Sequence, residues 1–157
     1  MRKFFILALA VSLLAVSCET EFRSTVISQE AMIEKFINDS LSRFEIVRND
    51  GVNRAILVSG SGNVVEKGDN VTFDYVGCIL SDGKLAAFTQ GTLTKPVGSG
   101  ELIKGLDLGL VGAKRGEECM LIFSAEYGYG KGSLNVVPEA QALAFDVKIV
   151  SISKSDD

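Results

Sequence analysis

Few side chains in this chain could do chemistry, and the absences narrow the field further. None of the 157 residues is histidine. That removes imidazole acid–base work, His-ligated metal sites, and Ser-His-Asp or Cys-His nucleophiles. The three cysteines, Cys18, Cys78 and Cys119, are too widely spaced for a CxxC pair or a zinc knuckle. Twenty acidic against 16 basic residues give a net charge of −4, which argues against a nucleic-acid partner. What remains is hydroxyl and apolar surface. Tyr129 stands between Gly128 and Gly130. A loop aromatic has little packing reason to be there, so it is a candidate for ligand contact. Tyr75, Ile103, Leu106 and Phe145 fall in apolar-rich runs, where such residues ordinarily fill core. This set calls for no cofactor and no metal.

Cys18 invites a different chemistry. Arg2 and Lys3 precede an apolar run of 13 residues, Phe4 to Val16. The run is too short to span a bilayer but suits a signal-peptide core. Leu14-Ala15-Val16-Ser17-Cys18 resembles a bacterial lipobox, in which the cysteine is lipidated and becomes the new N-terminus. An ordinary secretory signal cut nearby is the other reading. Loss of residues 1–17 would move the net charge to −6 by removing Arg2 and Lys3. Glu19-Thr20-Glu21 after the cysteine resembles an acidic surface-export signal, and a solvated tether would also be polar. The expected location is the bacterial cell envelope, lipid-anchored to the outer membrane and open to surface exposure.

The elements that must position the candidate residues follow from glycine and from hydrophobic period. All 16 glycines lie between Gly51 and Gly132. Before them, Met32, Ile33, Phe36, Ile37, Leu41 and Phe44 recur with helical spacing, with Ser28 as N-cap. This face is expected to pack on the main domain or to meet a partner. After Gly51 the period becomes two. Val71, Phe73 and Tyr75 alternate with polar neighbours, as do Leu143, Phe145, Val147 and Ile149. Shorter β-rich runs cover 54–58 and 119–124, and turn signals stand at 66–69, 81–84 and 114–116. One short helix is predicted at 106–111. The expected class is α+β: an antiparallel sheet against one small helix, plus the N-terminal helix. The expected divisions are 1–17 leader, 18–27 tether, 28–50 helix and linker, and 51–153 sheet domain. Cys78 and Cys119 fall in predicted strands, where a disulfide and two buried thiols are both open.

Five segments in order, VTFDYVG, SDGK, VGSGELIKGLDLGLVGAKRGEE, CMLIFSAEYGYG and VVPEAQALAFDVKIV, resemble an FKBP-type peptidyl-prolyl cis-trans isomerase over about residues 52–152. The resemblance implies a bent half-barrel sheet around one helix, with a long flap beside a cavity. It also implies rotation of X-Pro bonds in polypeptide substrates. Tyr75, Ile103, Tyr129 and Phe145 match its catalytic pocket, with the Ile103 N–H as donor to the substrate carbonyl. Leu102, Val136 and Val137 match its substrate-binding positions, to which Leu106 and Phe88 are added as candidates that depart from its pattern.

The sequence also departs from the family pattern. Leu106 stands where the family usually has a tryptophan floor. The Phe-Asp pair expected after the SDGK turn is Ala86-Ala87 on the straight reading. On the alternative, Phe88 slides in as the missing phenylalanine and Thr89 takes the aspartate's place. Leu93 is the nearest substitute for a further wall aromatic. These departures predict reduced activity, and they favour a second reading: a non-catalytic envelope lipoprotein binding proline-containing or extended segments as a chaperone or assembly subunit. A structural lipoprotein that pairs with a partner through its N-terminal helix is the third.

Overall fold

The computed structural model describes residues 2–134 and 136–154, with side chains from Cys18 onward. Of the expected leader, Met1 lies outside the described residues and 2–17 are described as helix backbone alone. The elements are α1 (Arg2–Ser40), β1 (Glu45–Asn49), β2 (Val52–Val58), β3 (Asn70–Ser81), β4 (Lys84–Pro96), α2 (Lys104–Leu110), β5 (Glu118–Phe123) and β6 (Ala142–Ser153). A 3-10 turn covers Ala125–Tyr127. The strands form one antiparallel sheet in the order β1-β2-β5-β6-β3-β4.

Strand alternation gives the sheet two apolar faces. On the inner face Phe73, Leu121, Phe123, Leu143, Phe145 and Val147 pack against Leu106 and Leu110 of α2. On the outer face Ala55, Leu80, Met120, Ile122, Ala142 and Ala144 meet Ile33, Phe36 and Ile37 of α1 and Leu41 just beyond its end. The three alanines under the helix leave room for its close approach. The predicted helical face therefore covers the sheet.

Two boundaries differ from the sequence reading. Ser28 caps nothing, because α1 runs unbroken through it. Residues 45–49 are an edge strand rather than linker, joined to β2 by Asp50 and Gly51 at φ 46° and 82°. Asp-Gly with both residues left-handed is a tight hairpin turn, so the signal was present in the sequence. The β3–β4 hairpin uses Asp82-Gly83 in the same way, as the turn signal predicted.

The short helix spans 104–110, close to its predicted place, and is fixed at both ends. Asp107 is buried and reaches back to the preceding loop, accepting hydrogen bonds from the Gly98 N–H (2.9 Å) and the Gly100 N–H (2.7 Å). At the other end Arg54 donates to the carbonyls of Gly109 (2.9 Å) and Val111 (2.8 Å), and its Nε lies 3.3 Å from the buried carboxylate of Glu117. Burial of this pair is tolerable because each charge meets the other and further backbone partners. Gly105 lets the helix lie directly on the sheet: a Cβ there would stand 2.5 Å from the Phe123 ring.

Candidate functional site

An open cavity of about 360 Å³ lies between the N-terminal end of α2, the inner face of β3, β4 and β6, and the loop 124–141. Phe145 forms its base. The ring is 2% exposed, stacks on Phe123 at 5.9 Å between centroids, and lies 6.2 Å from Tyr75. Gly77 on the neighbouring strand makes room for it, since a Cβ there would meet the Phe145 ring at 2.8 Å. Leu106, 5% exposed, supplies an aliphatic floor from the first turn of α2.

Leu102 and Ile103 line the cavity at the entrance to α2. Ile103 is the helix N-cap in backbone terms, with φ −59° and ψ 146°. Its carbonyl accepts from the N–H groups of Leu106 and Asp107. The Asp107 bonds to Gly98 and Gly100 hold the loop that delivers both residues. Sequence reasoning missed this role, although a carboxylate in a short helix that is otherwise apolar after Lys104, downstream of Gly98 and Gly100, was a visible signal.

A β-bulge decides the open question on β4. Gly77 pairs with Thr89 while Cys78 pairs with Ala87, so Phe88 is the extra residue. The bulge turns Phe88 into the cavity, edge-on to Phe145 at 6.1 Å, with Thr89 beside it on the wall. Ala86 and Ala87 stay exposed on the strand and outside the cavity. Phe88 and Thr89 thus stand at the cavity, where the sliding alternative puts them, and Ala86-Ala87 do not. Leu93 also lines the wall, as the nearest substitute was expected to do.

The loop 124–141 closes the remaining side with Tyr129, Leu134 and Val136. Partial burial raises the Tyr129 hydroxyl pKa above its ordinary value of 10, and the neighbouring Tyr75 adds to the rise. Tyr129 is thus a neutral hydrogen-bonding group at physiological pH. Val136 is 66% exposed at the rim, whereas Val137 is 1% exposed and packs into the inner core. Of the nine candidate pocket residues, Val137 alone does not line the cavity. Its reciprocal bonds with Leu134 turn the pair so that one valine faces out and the other in.

Cys78 and Cys119 are separate thiols on opposite faces of the sheet. Burial pushes the Cys119 thiol up to about 12. Cys18 is exposed on α1.

An antiparallel sheet holding one short helix, with an aromatic cavity at the helix entrance, is an α+β half-barrel. The model of the FKBP-type peptidyl-prolyl cis-trans isomerase family matches residues 62–150, and the chain belongs to that family. It is 41% identical over 99 residues to FK506-binding protein 3 of Eremothecium gossypii, covering 60% of this chain and 23% of that protein. FK506-binding protein 4 of Saccharomyces cerevisiae is also 41% identical over 99 residues, covering 60% and 24%. The matched region is thus about a quarter of the length of these relatives. FkpA from Escherichia coli shares the fold, with a TM-score of 0.66 at 21% identity over 96% of this chain and 71% of that one.

Proposed function

We propose that this chain rotates X-Pro peptide bonds, slowly, in proline-containing segments of exported proteins, and that it does so in the bacterial envelope on a lipid anchor at Cys18. The cavity itself carries the reading: Tyr75, Phe88, Tyr129 and Phe145 surround a space of about 360 Å³ whose floor and entrance are aliphatic. The bond to be rotated faces a barrier of about 18–20 kcal/mol because amide resonance gives C–N double-bond character. Resonance separates charge, so an apolar, water-poor enclosure disfavours the planar amide relative to the twisted one. The aromatic walls hold the prolyl ring. The Ile103 N–H and the Tyr129 hydroxyl supply donors at the rim for the carbonyls of the twisted form. A millionfold acceleration requires about 8 kcal/mol of differential stabilisation, and none of it needs an acid, base or metal.

Slowness follows from two substitutions. Leu106 gives a smaller floor than an indole would, and Thr89 puts a neutral hydroxyl where the family resemblance implies a carboxylate. A second reading rests on the same two residues: a cavity that binds extended or proline-containing segments without turning them over. A protease-coupled isomerisation assay on the purified chain separates the two. Prolyl-peptide turnover above the uncatalysed rate supports the enzyme. Peptide binding without turnover establishes the binding module instead.

The envelope location rests on the residues before and at Cys18. The apolar run and small residues ahead of it support lipidation, and the acyl chains would bind at about 0.8 kcal/mol per buried methylene.

A further inference from the structure

The loop that carries Tyr129 and Val136 is closed at its neck by a residue from outside the sheet domain. Gln29 lies on α1, on the stripe that also buries Val26 and Ile33, and is itself only 8% exposed. Its Oε1 accepts from the Ala125 N–H at 2.8 Å. Its Nε2 donates to the Ala140 carbonyl at 2.6 Å. The two backbone groups belong to opposite ends of the loop. Inside the neck, the Ala125 carbonyl accepts from the Gly130 N–H (2.8 Å), and the Gly130 carbonyl accepts from the Ala140 N–H (3.1 Å). Gln29, Ala125, Gly130 and Ala140 thus form a closed ring of hydrogen bonds, and Tyr129 is the residue next to its third member. Ala140 is held at φ 51°, a left-handed conformation that a residue with a Cβ adopts only when its surroundings fix it.

From this ring we infer that Gln29 is a positioning residue for the cavity. Its side-chain amide clamps both ends of the 125–140 loop, so the N-terminal helix sets where Tyr129 and Val136 stand. The inference rests on the cavity being the substrate site, and it concerns how that site is shaped. The primary amide is suited to the task because it offers one acceptor and one donor in a single plane. An exposed ion pair between Glu19 and Lys131, 2.8 Å, lies further along the same helix–loop contact. It is solvent-screened and adds little.

The test compares the full chain with Gln29→Met and Gln29→Glu by amide hydrogen exchange and by titration with a short prolyl peptide. Gln29→Met keeps the length and removes both bonds. The amides of Ala125, Gly130 and Ala140 should then exchange about tenfold faster, the loss expected for a net hydrogen bond, while amides of β3 and β6 keep their protection. Peptide affinity should fall several-fold as Val136 is displaced, and in a turning-over enzyme kcat/KM should fall at least as far, because the displaced Tyr129 donor also serves the twisted form. Gln29→Glu retains the acceptor for the Ala125 N–H and loses the donor to Ala140, so it should preserve Ala125 protection and free the Gly130–Ala140 link. Unchanged loop exchange in Gln29→Met would overturn the clamp. So would acceleration spread evenly through the sheet. A wild-type chain without turnover would remove the isomerase reading while exchange and peptide affinity still decide the clamp.

Discussion

At the scale of the residue, the floor and the donor can be tested apart. Leu106 is aliphatic and buried beneath the cavity. Leu106→Trp should raise isomerase activity or peptide affinity without raising stability. Overpacking is the competing result, recognised by a loss of about 1–3 kcal/mol in chemical denaturation. Tyr129→Phe removes one rim hydroxyl and should lower kcat/KM by about tenfold or less, with denaturation unchanged. Asp146, on the outer face of β6, makes a prediction about pH. Burial holds its carboxyl above the ordinary value of 3.8. The folded state therefore keeps this proton over a range where the unfolded chain has released it, and stability falls as pH rises from 3.8 through the folded value. Asp146→Asn should abolish that part of the fall. Urea midpoints of the two proteins across this window should diverge as pH rises, with the asparagine variant the more stable above it.

At the scale of the element, α1 is the test case. Ile33, Phe36, Ile37 and Leu41 cover the outer face of the sheet. At about 1.5–3 kcal/mol for each fully buried side chain, four of them amount to about 6–12 kcal/mol as an upper bound. That is comparable with the whole stability of an ordinary domain, about 5–15 kcal/mol. A chain begun at Gly51 would lose this cover and β1 with it. It should show no cooperative unfolding transition, or a much lowered one, together with dye binding to the exposed face. A sharp transition near that of the full chain would show the sheet to be self-sufficient. The helix was legible in the sequence from its apolar period. Its length was not: apart from Cys18 and Phe22, residues 18–25 are Glu, Thr, Arg and Ser, too polar to show an apolar period, yet the backbone continues the helix through them. Gln29 was passed over because a polar residue on an apolar stripe looks like an interruption until the groups it reaches are known.

At the scale of the whole molecule, Cys18 and Gln29, the residue bonded to both ends of the cavity loop, lie on one continuous helix. Cys18, at one end of the contact between α1 and the loop, is exposed. If the lipidation proposal holds, mass spectrometry of the protein from its native membrane should find Cys18 as a modified N-terminus, and Cys18→Ala should move the protein from the detergent phase to the aqueous one. An unmodified N-terminus beyond Cys18 would reject it.

The sequence by itself determined the fold class, most of the strands, the short helix and nearly all of the pocket. Period-two alternation and Asp-Gly or Lys-Gly turns are local properties of the chain, and the ordered motifs from VTFDYVG to AFDV brought Tyr75, Ile103, Tyr129 and Phe145 together by resemblance. The tertiary structure alone decided three things. It set the β4 register, because whether Phe88 or Ala87 faces inward depends on one extra residue opposite Gly77, and a bulge is stabilised by what its side chain meets across the sheet. It separated Val136 from Val137, since adjacent residues in a loop have no period to sort them. And it joined Gln29 to Ala125 and Ala140, across 96 and 111 residues of chain. A hydrogen bond between a side-chain amide and two distant peptide groups leaves no local trace in sequence, because its partners are backbone atoms that every residue carries.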